Sequence, residues 1–383
     1  MIFPARKTST VVAAIAAAGI ASLFLGVAPA SAKPASVECG SIGFLIPGNI
    51  CERVVTSGTE TFTPTASMSQ LEVLLVAGGG DGADKTTANG YAAGGGGGQV
   101  KLVGFGANTP QNLTLVVGGA LTASTVSDGT TTTTAAPGIS AAINGLAGGA
   151  SGSGNAGATG TTASPAEPYG AGGGAGASPI TNANGGAGVI VSSIAAAGSV
   201  FSTDLNCYGG GGAVGIDGTA GIATCGGGQP VDTTSLLLVA PTANSGGGGG
   251  GISVTAPIEQ RGGASGLVVV RWIPLVTVSF VDNGHGTAVP PQTFAVGAIP
   301  VQPADPTAAG WKFNGWFTDA ALTIPADFTV PVTETTTFYA SWSPVLAATG
   351  GPANGAELPI GIAALALGAG IFGITNRRRV TAN

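Results

Sequence analysis

Short apolar runs closed off by glycine, proline or threonine recur along most of this chain. Leu71 to Ala77, Gln99 to Val103, Asn112 to Val117 and Leu267 to Trp272 are rich in β-branched residues and bounded by turn formers, which predicts strands. Val276 to Phe280 alternates apolar and polar positions, Trp311 to Trp316 predicts another strand, and Thr336 to Trp342 closes the series. The fold class read from this pattern is mainly β. Two longer apolar runs, Val11 to Val27 and Leu358 to Ile374, stand apart at the ends.

Each end has the order of an export signal. Arg6 and Lys7 precede the first run, and Ala30-Ser31-Ala32 follows it, so residues 1–32 predict a secretory signal peptide cleaved after Ala32. The competing reading is a retained N-terminal anchor, which the small-residue site and the modest length of the run disfavour. At the other end Leu346-Ala347-Ala348-Thr349-Gly350 and a polar spacer through Glu357 make up a sorting motif and spacer, 344–357. A transmembrane helix at 358–376 follows, then a basic cytoplasmic tail, 377–383, with Arg377, Arg378 and Arg379. The helix is long enough to cross a ~30 Å hydrocarbon layer, and the arginines hold its end inside. This order resembles a sortase substrate, whose signal is Leu-Pro-x-Thr-Gly, an apolar stretch and a basic tail. Ala347 replaces the usual proline, matching the Leu-Ala-x-Thr-Gly variant of actinobacterial sortases. The resemblance implies that a sortase cleaves after Thr349 and transfers its carboxylate to a peptidoglycan amine. The competing reading is a permanent single-span membrane anchor with a chance Thr-Gly.

Charge narrows the function classes. Residues 33–349 carry seven basic side chains against seventeen acidic ones, and no Lys or Arg occurs between Lys101 and Arg261. Clustered cations for phosphate neutralisation are lacking, so nucleic acid is not a partner. Cys39, Cys51, Cys207 and Cys225 are an even set in an exported chain. Three pairings are open, and proximity along the chain favours Cys39 with Cys51 and Cys207 with Cys225. A metal site is the rival, but the spacings are not those of a Cys-x-x-Cys pair and His285 is the lone histidine.

Glycine accounts for 69 of 383 residues, with runs at Gly94 to Gly98, Gly209 to Gly212, Gly226 to Gly228 and Gly246 to Gly251. A flexible linker is the default for such composition. Core-type strands before, within and after the runs argue instead for loops inserted into a β-sandwich. Residues without side chains let extended threefold helices approach and hydrogen-bond laterally. Thr61-Phe62-Thr63-Pro64 leading to Leu71 through Gly80, Gly94 through Val103, and Gly262 through Trp272 resemble a bacterial glycine-rich domain, and more distantly the glycine-rich part of the anaplastic lymphoma kinase ectodomain. The resemblance implies a β-sandwich bearing polyglycine-II-like loops over 33–274. Leu121 to Ser164, rich in Ala, Thr and Gly, reads as a loop insertion of low order.

Between Val276 and Trp342 ten aromatic residues crowd together and signal a second core. Asp282-Asn283-Gly284, Pro290-Pro291, Pro303 to Thr307, Gly310 to Trp316 and Phe338 to Trp342 resemble the internalin-type B-repeat (the Listeria/Bacteroides repeat), a small β-grasp-like module assigned here to 275–343. His285 stands where glycine is more usual, and Trp311 where tyrosine is. The resemblance implies a stalk or interaction unit whose aromatics belong to the core.

Catalytic chemistry finds no foothold in the pattern. His285 lies in an Asn-Gly-His-Gly turn and reads as solvated; no Gly-x-Ser-x-Gly elbow occurs. Gly-x-Gly-x-x-Gly matches inside glycine runs lack a strand-then-helix context. Asp81 and Asp84 fit one copy of a calcium nonapeptide, which needs several stacked copies. Asn112-Leu113-Thr114 is read as a chance glycosylation triplet. The expectation is a non-enzymatic, cofactor-free surface protein fixed to the cell wall, with sortase, peptidoglycan and, before processing, the membrane as partners and a structural, adhesive or ligand-binding role. Two other classes remain: a secreted surface hydrolase acting on polysaccharide through converging carboxylates in the glycine-rich domain, and a receptor-like module marked by an exposed apolar patch.

Overall fold

The computed structural model describes residues 39, 43–83, 92–106, 111–142, 147–159, 170–181, 183–216, 219–230, 238–251 and 261–346. Its elements begin with β1 (Phe44–Ile46), β2 (Ile50–Val55), β3 (Gly58–Phe62), β4 (Met68–Val76), β5 (Val100–Phe105), β6 (Leu113–Val117), β7 (Ser124–Ser127) and β8 (Thr132–Ala135). Two-residue strands β9 (Val189–Ile190), β10 (Cys207–Tyr208), β11 (Gly215–Ile216), β12 (Thr219–Ala220), β13 (Gln229–Pro230) and β14 (Leu238–Val239) follow, with one helical turn, α1 (Val191–Ile194), after β9. The last strands are β15 (Leu267–Val281), β16 (Gln292–Ala295), β17 (Trp311–Phe317) and β18 (Thr336–Pro344). The chain is mainly β, and all strand pairings but one are antiparallel among the described residues.

In the glycine-rich half the first part of β15 lies between β2 and β4, with β1 beyond β2 and β5 beyond β4. A second antiparallel sheet runs β3-β6-β7-β8. The two sheets share one core: Leu71, Val73, Leu75, Val268, Val270 and Trp272 from the first meet Phe62, Leu113, Leu115 and Val126 from the second. Phe62 and Trp272 pack ring against ring at 5.3 Å. The alternate residues Leu74, Val76, Leu267 and Val269 point the other way, where Val191, Val200 and Phe201 cover them. Burial on both faces is why β4 reads as a nearly unbroken apolar run instead of alternating.

Within the stretch Leu121 to Ser164, residues 124–135 depart from the expected loop insertion. Their threonine-rich pieces form β7 and β8, whose register runs Ser124 with Ala135 to Ser127 with Thr132. β-branched threonine suits a pleated surface, and Val126 and Ala135 are fully buried there. Low hydrophobicity in the sequence hid two strands that borrow their apolar face from β4 and β6.

The glycine runs pack into a bundle with a period of three. From the central run, Gly94 and Gly97 donate to the carbonyls of Gly170 and Gly173, Gly95 and Gly98 to Gly249 and Gly246, and Gly96 and Gln99 to Ile139 and Ala136. The same run accepts from Gly149 and Gly152, from Gly80 and Ala77, and from Gly212, with all these bonds between 2.7 and 3.0 Å. Three residues per turn is the repeat of an extended helix of the polyproline II type, so successive residues face different neighbours. Close approach makes the glycines compulsory: a Cβ on Gly95 would overlap the Gly80 carbonyl, and one on Gly96 would overlap that of Ala150. The N–H groups of residues 94–99 thereby find carbonyls without a pleated ladder.

The aromatic half is a four-stranded mixed sheet, β16-β15-β18-β17. Its core gathers Val276, Val278, Trp316, Phe338 and Ala340, with Phe280, Phe313 and Phe328 against them. The expected boundary at 274/275 falls inside β15, a single strand of 15 residues that serves both halves. Leu275 N donates to Ser67 O at 2.7 Å and Asn49 Nδ2 to Val296 O at 3.4 Å, so the halves also touch beside the shared strand.

Candidate functional site

The expected attachment segment leaves the fold from the end of β18. Val345 N donates to Gly310 O at 2.8 Å, the last backbone tie before Leu346, whose side chain is 89% exposed. Leu346 therefore opens the pentapeptide in solvent. Ala347, Ala348, Thr349 and Gly350 lie outside the described residues, as do Ala32, the expected signal peptide and the expected membrane helix. No helix among the described residues is long and apolar enough to cross a membrane.

The cysteines form two disulfides, Cys39 with Cys51 and Cys207 with Cys225, so none of them serves a metal. The first ties residue 39 to β2 under Trp272, in the core between the sheets. The second clamps β10 to the turn before Gly226, at the rim of the glycine bundle, where a Cβ on Gly188 would meet the Cys225 sulfur. Asp81, weighed for calcium, accepts the Gly263 N–H at 2.9 Å and so closes the bundle instead. Asp84 lies outside the described residues.

One charged cluster escaped the sequence reading. Arg271 faces the covered side of β15, with Glu52 opposite on β2 and Glu72 opposite on β4. Its Nε donates to Glu52 Oε2 at 2.6 Å, and its Nη2 lies 2.9 Å from Asp204 Oδ2. The guanidinium sits 4.3 Å over the Phe201 ring. Glu72 Oε2 accepts the Ser199 hydroxyl at 2.5 Å. Burial, and secondly the Asp204 charge, raises the Tyr208 phenol above its ordinary value. The signal that could have revealed the cluster is a charge inside each of three apolar runs: Glu52 in Ile50 to Val55, Glu72 in Leu71 to Val76, and Arg271 in Leu267 to Trp272.

Three carboxylates thus converge beside aromatic rings, the arrangement that a hydrolase would need. Each is already engaged: two neutralise a buried arginine and the third accepts a hydroxyl. Arg271 is buried beneath the 199–204 segment, and its pairing with the buried Asp204 pins that segment onto the sheet. Arg53 pairs with Glu60 at 2.9 Å on the opposite face of β2.

In the aromatic half, His285 is half-buried and not a free turn residue. Its ring stacks on Trp311 at 3.8 Å and meets the edge of Trp342 at 5.9 Å. The two positions that depart from the repeat pattern therefore contact each other, and Trp311 is only partly covered, with 36% of its surface exposed. A groove of about 340 Å³ opens elsewhere on this half, between Pro300, Ile324, Val330 and Phe338, with Asp327 and Glu334 at its edge. Ile324 and Val330 are exposed there.

A glycine-rich domain model matches residues 55–273, and a Listeria-Bacteroides repeat domain model matches residues 277–341. No curated protein matches the chain. A repeat of this type together with two disulfides marks an extracellular surface protein. With more than half of its length matched, from the end of β2 to the first part of β15, the chain belongs to the glycine-rich domain family.

Proposed function

We propose that this is a sortase-processed surface protein, covalently joined to peptidoglycan through Thr349 and displaying its glycine-rich domain outward, with a structural, adhesive or ligand-binding role and no catalysis. The observation that carries the reading is the order of parts: signal segment, disulfide-bonded glycine-rich domain, repeat module, exposed Leu346, then the sorting pentapeptide, apolar run and arginines. The engagement of Glu52 and Asp204 by Arg271, and of Glu72 by the Ser199 hydroxyl, favours display over hydrolysis. An apolar groove on the repeat module supports ligand binding there.

The test compares intact mass and fractionation of the native protein and its Thr349→Ala variant. The proposal expects wild-type chains ending at Thr349 on wall fragments and the variant retained in the membrane with Arg377 to Arg379 attached. Membrane retention of both would leave a membrane-tethered display protein and refute the sortase step.

A further inference from the structure

We propose that the parallel pairing of β15 with β18 is a mechanical clamp that carries tension from the glycine-rich domain to the C-terminal attachment point. It is the lone parallel pairing among the described strands, in the register Val278 with Thr336, Ser279 with Thr337, Phe280 with Phe338 and Val281 with Tyr339. The load enters β15 at its beginning, because residues 268–271 are laddered on both sides to β2 and β4. It leaves at the end of β18, where the chain departs through Val345 and Leu346. In a parallel pair these two points lie at opposite ends. Pulling them apart slides one strand along the other, so all the slanted inter-strand bonds must stretch together. Pulling from the same end would open the bonds one after another.

Three side-chain bonds extend the clamp beyond its ladder. The Thr335 hydroxyl accepts from Thr277 N at 3.3 Å at one end. At the other, Asn283 Nδ2 donates to Ala340 O at 2.7 Å and Trp342 Nε1 to Asp282 O at 2.8 Å. Phe280 packs on Phe338 and Trp316 above the ladder, and Val278 and Ala340 are sealed from water, so competing solvent is kept from the bonds. Continuity of β15 matters equally, because a flexible linker at 274/275 would let the halves swing before the ladder took up force. The inference rests on the anchored reading only for the origin of the tension.

The experiment pulls the full mature chain, disulfides intact, in single-molecule force spectroscopy with click-chemistry handles at two alternative pairs of positions. Handles at Thr277 and Leu346 load opposite ends of the pair, and handles at Thr287 and Leu346 load the same end. The rest of the chain is the same in both, so the comparison is one of pulling direction. At equal loading rate the opposite-end geometry is expected to rupture at about twice the force or more, forced unfolding being set by the barrier along the pulled coordinate. Equal forces, or a weaker opposite-end geometry, would overturn the clamp. Neither outcome touches Thr349 processing, which fractionation decides separately.

Discussion

Arg271 is a charge placed where its strand has only apolar neighbours, and its ionic partners come from two separate parts of the chain, β2 and the 199–204 segment. Replacing it by methionine would leave Asp204 and Glu52 buried without a countercharge. Losing one member of a buried ionic cluster costs about 3–5 kcal/mol. Urea unfolding of Arg271→Met with the disulfides intact should show that loss, and an unchanged midpoint would mean that water already reaches the cluster. Three exposed carboxyls behave in the opposite way. Asp319 accepts from the Ile324 and Thr323 N–H groups, which holds it below the ordinary carboxylate value, and Asp128 and Asp327 are held down likewise by turn donors. Because folding favours the ionised form, these turns help stability above the ordinary carboxylate pKa and lose that help as pH falls towards the depressed values. An NMR titration should place the Asp319 midpoint below that of Asp in an unfolded peptide. A midpoint at the peptide value would remove the turn from the account.

At the level of elements, glycine has two different meanings in this chain. Gly96 lies in the centre of the bundle, where an added Cβ would overlap the Ala150 carbonyl, whereas Gly104 on β5 has nothing within 4 Å of an added Cβ. Gly96→Ala should destabilise by at least the roughly 1–3 kcal/mol typical of overpacking. Gly104→Ala should be neutral or gain about 0.4–1 kcal/mol by restricting the unfolded chain. Thermal melts of the two variants separate position from composition; equal effects would return the glycine runs to the linker reading. The sequence could not distinguish these glycines, because what crowds each one arrives from distant segments. The strands were legible for the complementary reason. Leu71 to Ala77 and Leu267 to Trp272 carry their own β-branched, apolar signal, while β7 and β8, built from Ser, Thr and Ala with the single valine Val126, do not.

Across the whole molecule, three cores are strung on one strand. The two in the glycine-rich half lie on opposite faces of the sheet that β15 helps to form, and the third surrounds its second part. The bundle hangs from the strand ends, with Ala77 leading out of β4, Gln99 leading into β5 and Gly266 leading into β15. Hydrogen exchange should therefore find the amides of Gly95, Gly96, Gly97 and Gly98 protected to an extent comparable with those of Leu74 and Leu75. Exchange at open-chain rates would show that the bundle opens independently of the sandwich.

What the sequence determined by itself was local or ordered along the chain: strands announced by β-branched runs, disulfides between neighbouring cysteines, and the aromatic module. Each needs only residues close together or read in order. Tertiary structure alone decided which carbonyl each glycine meets, that Glu52, Glu72 and Asp204 surround Arg271, that His285 lies on Trp311, and that one strand runs through both halves. Those outcomes depend on backbone approach between segments remote in sequence, where a missing side chain carries no address and a lone charge does not name its partner.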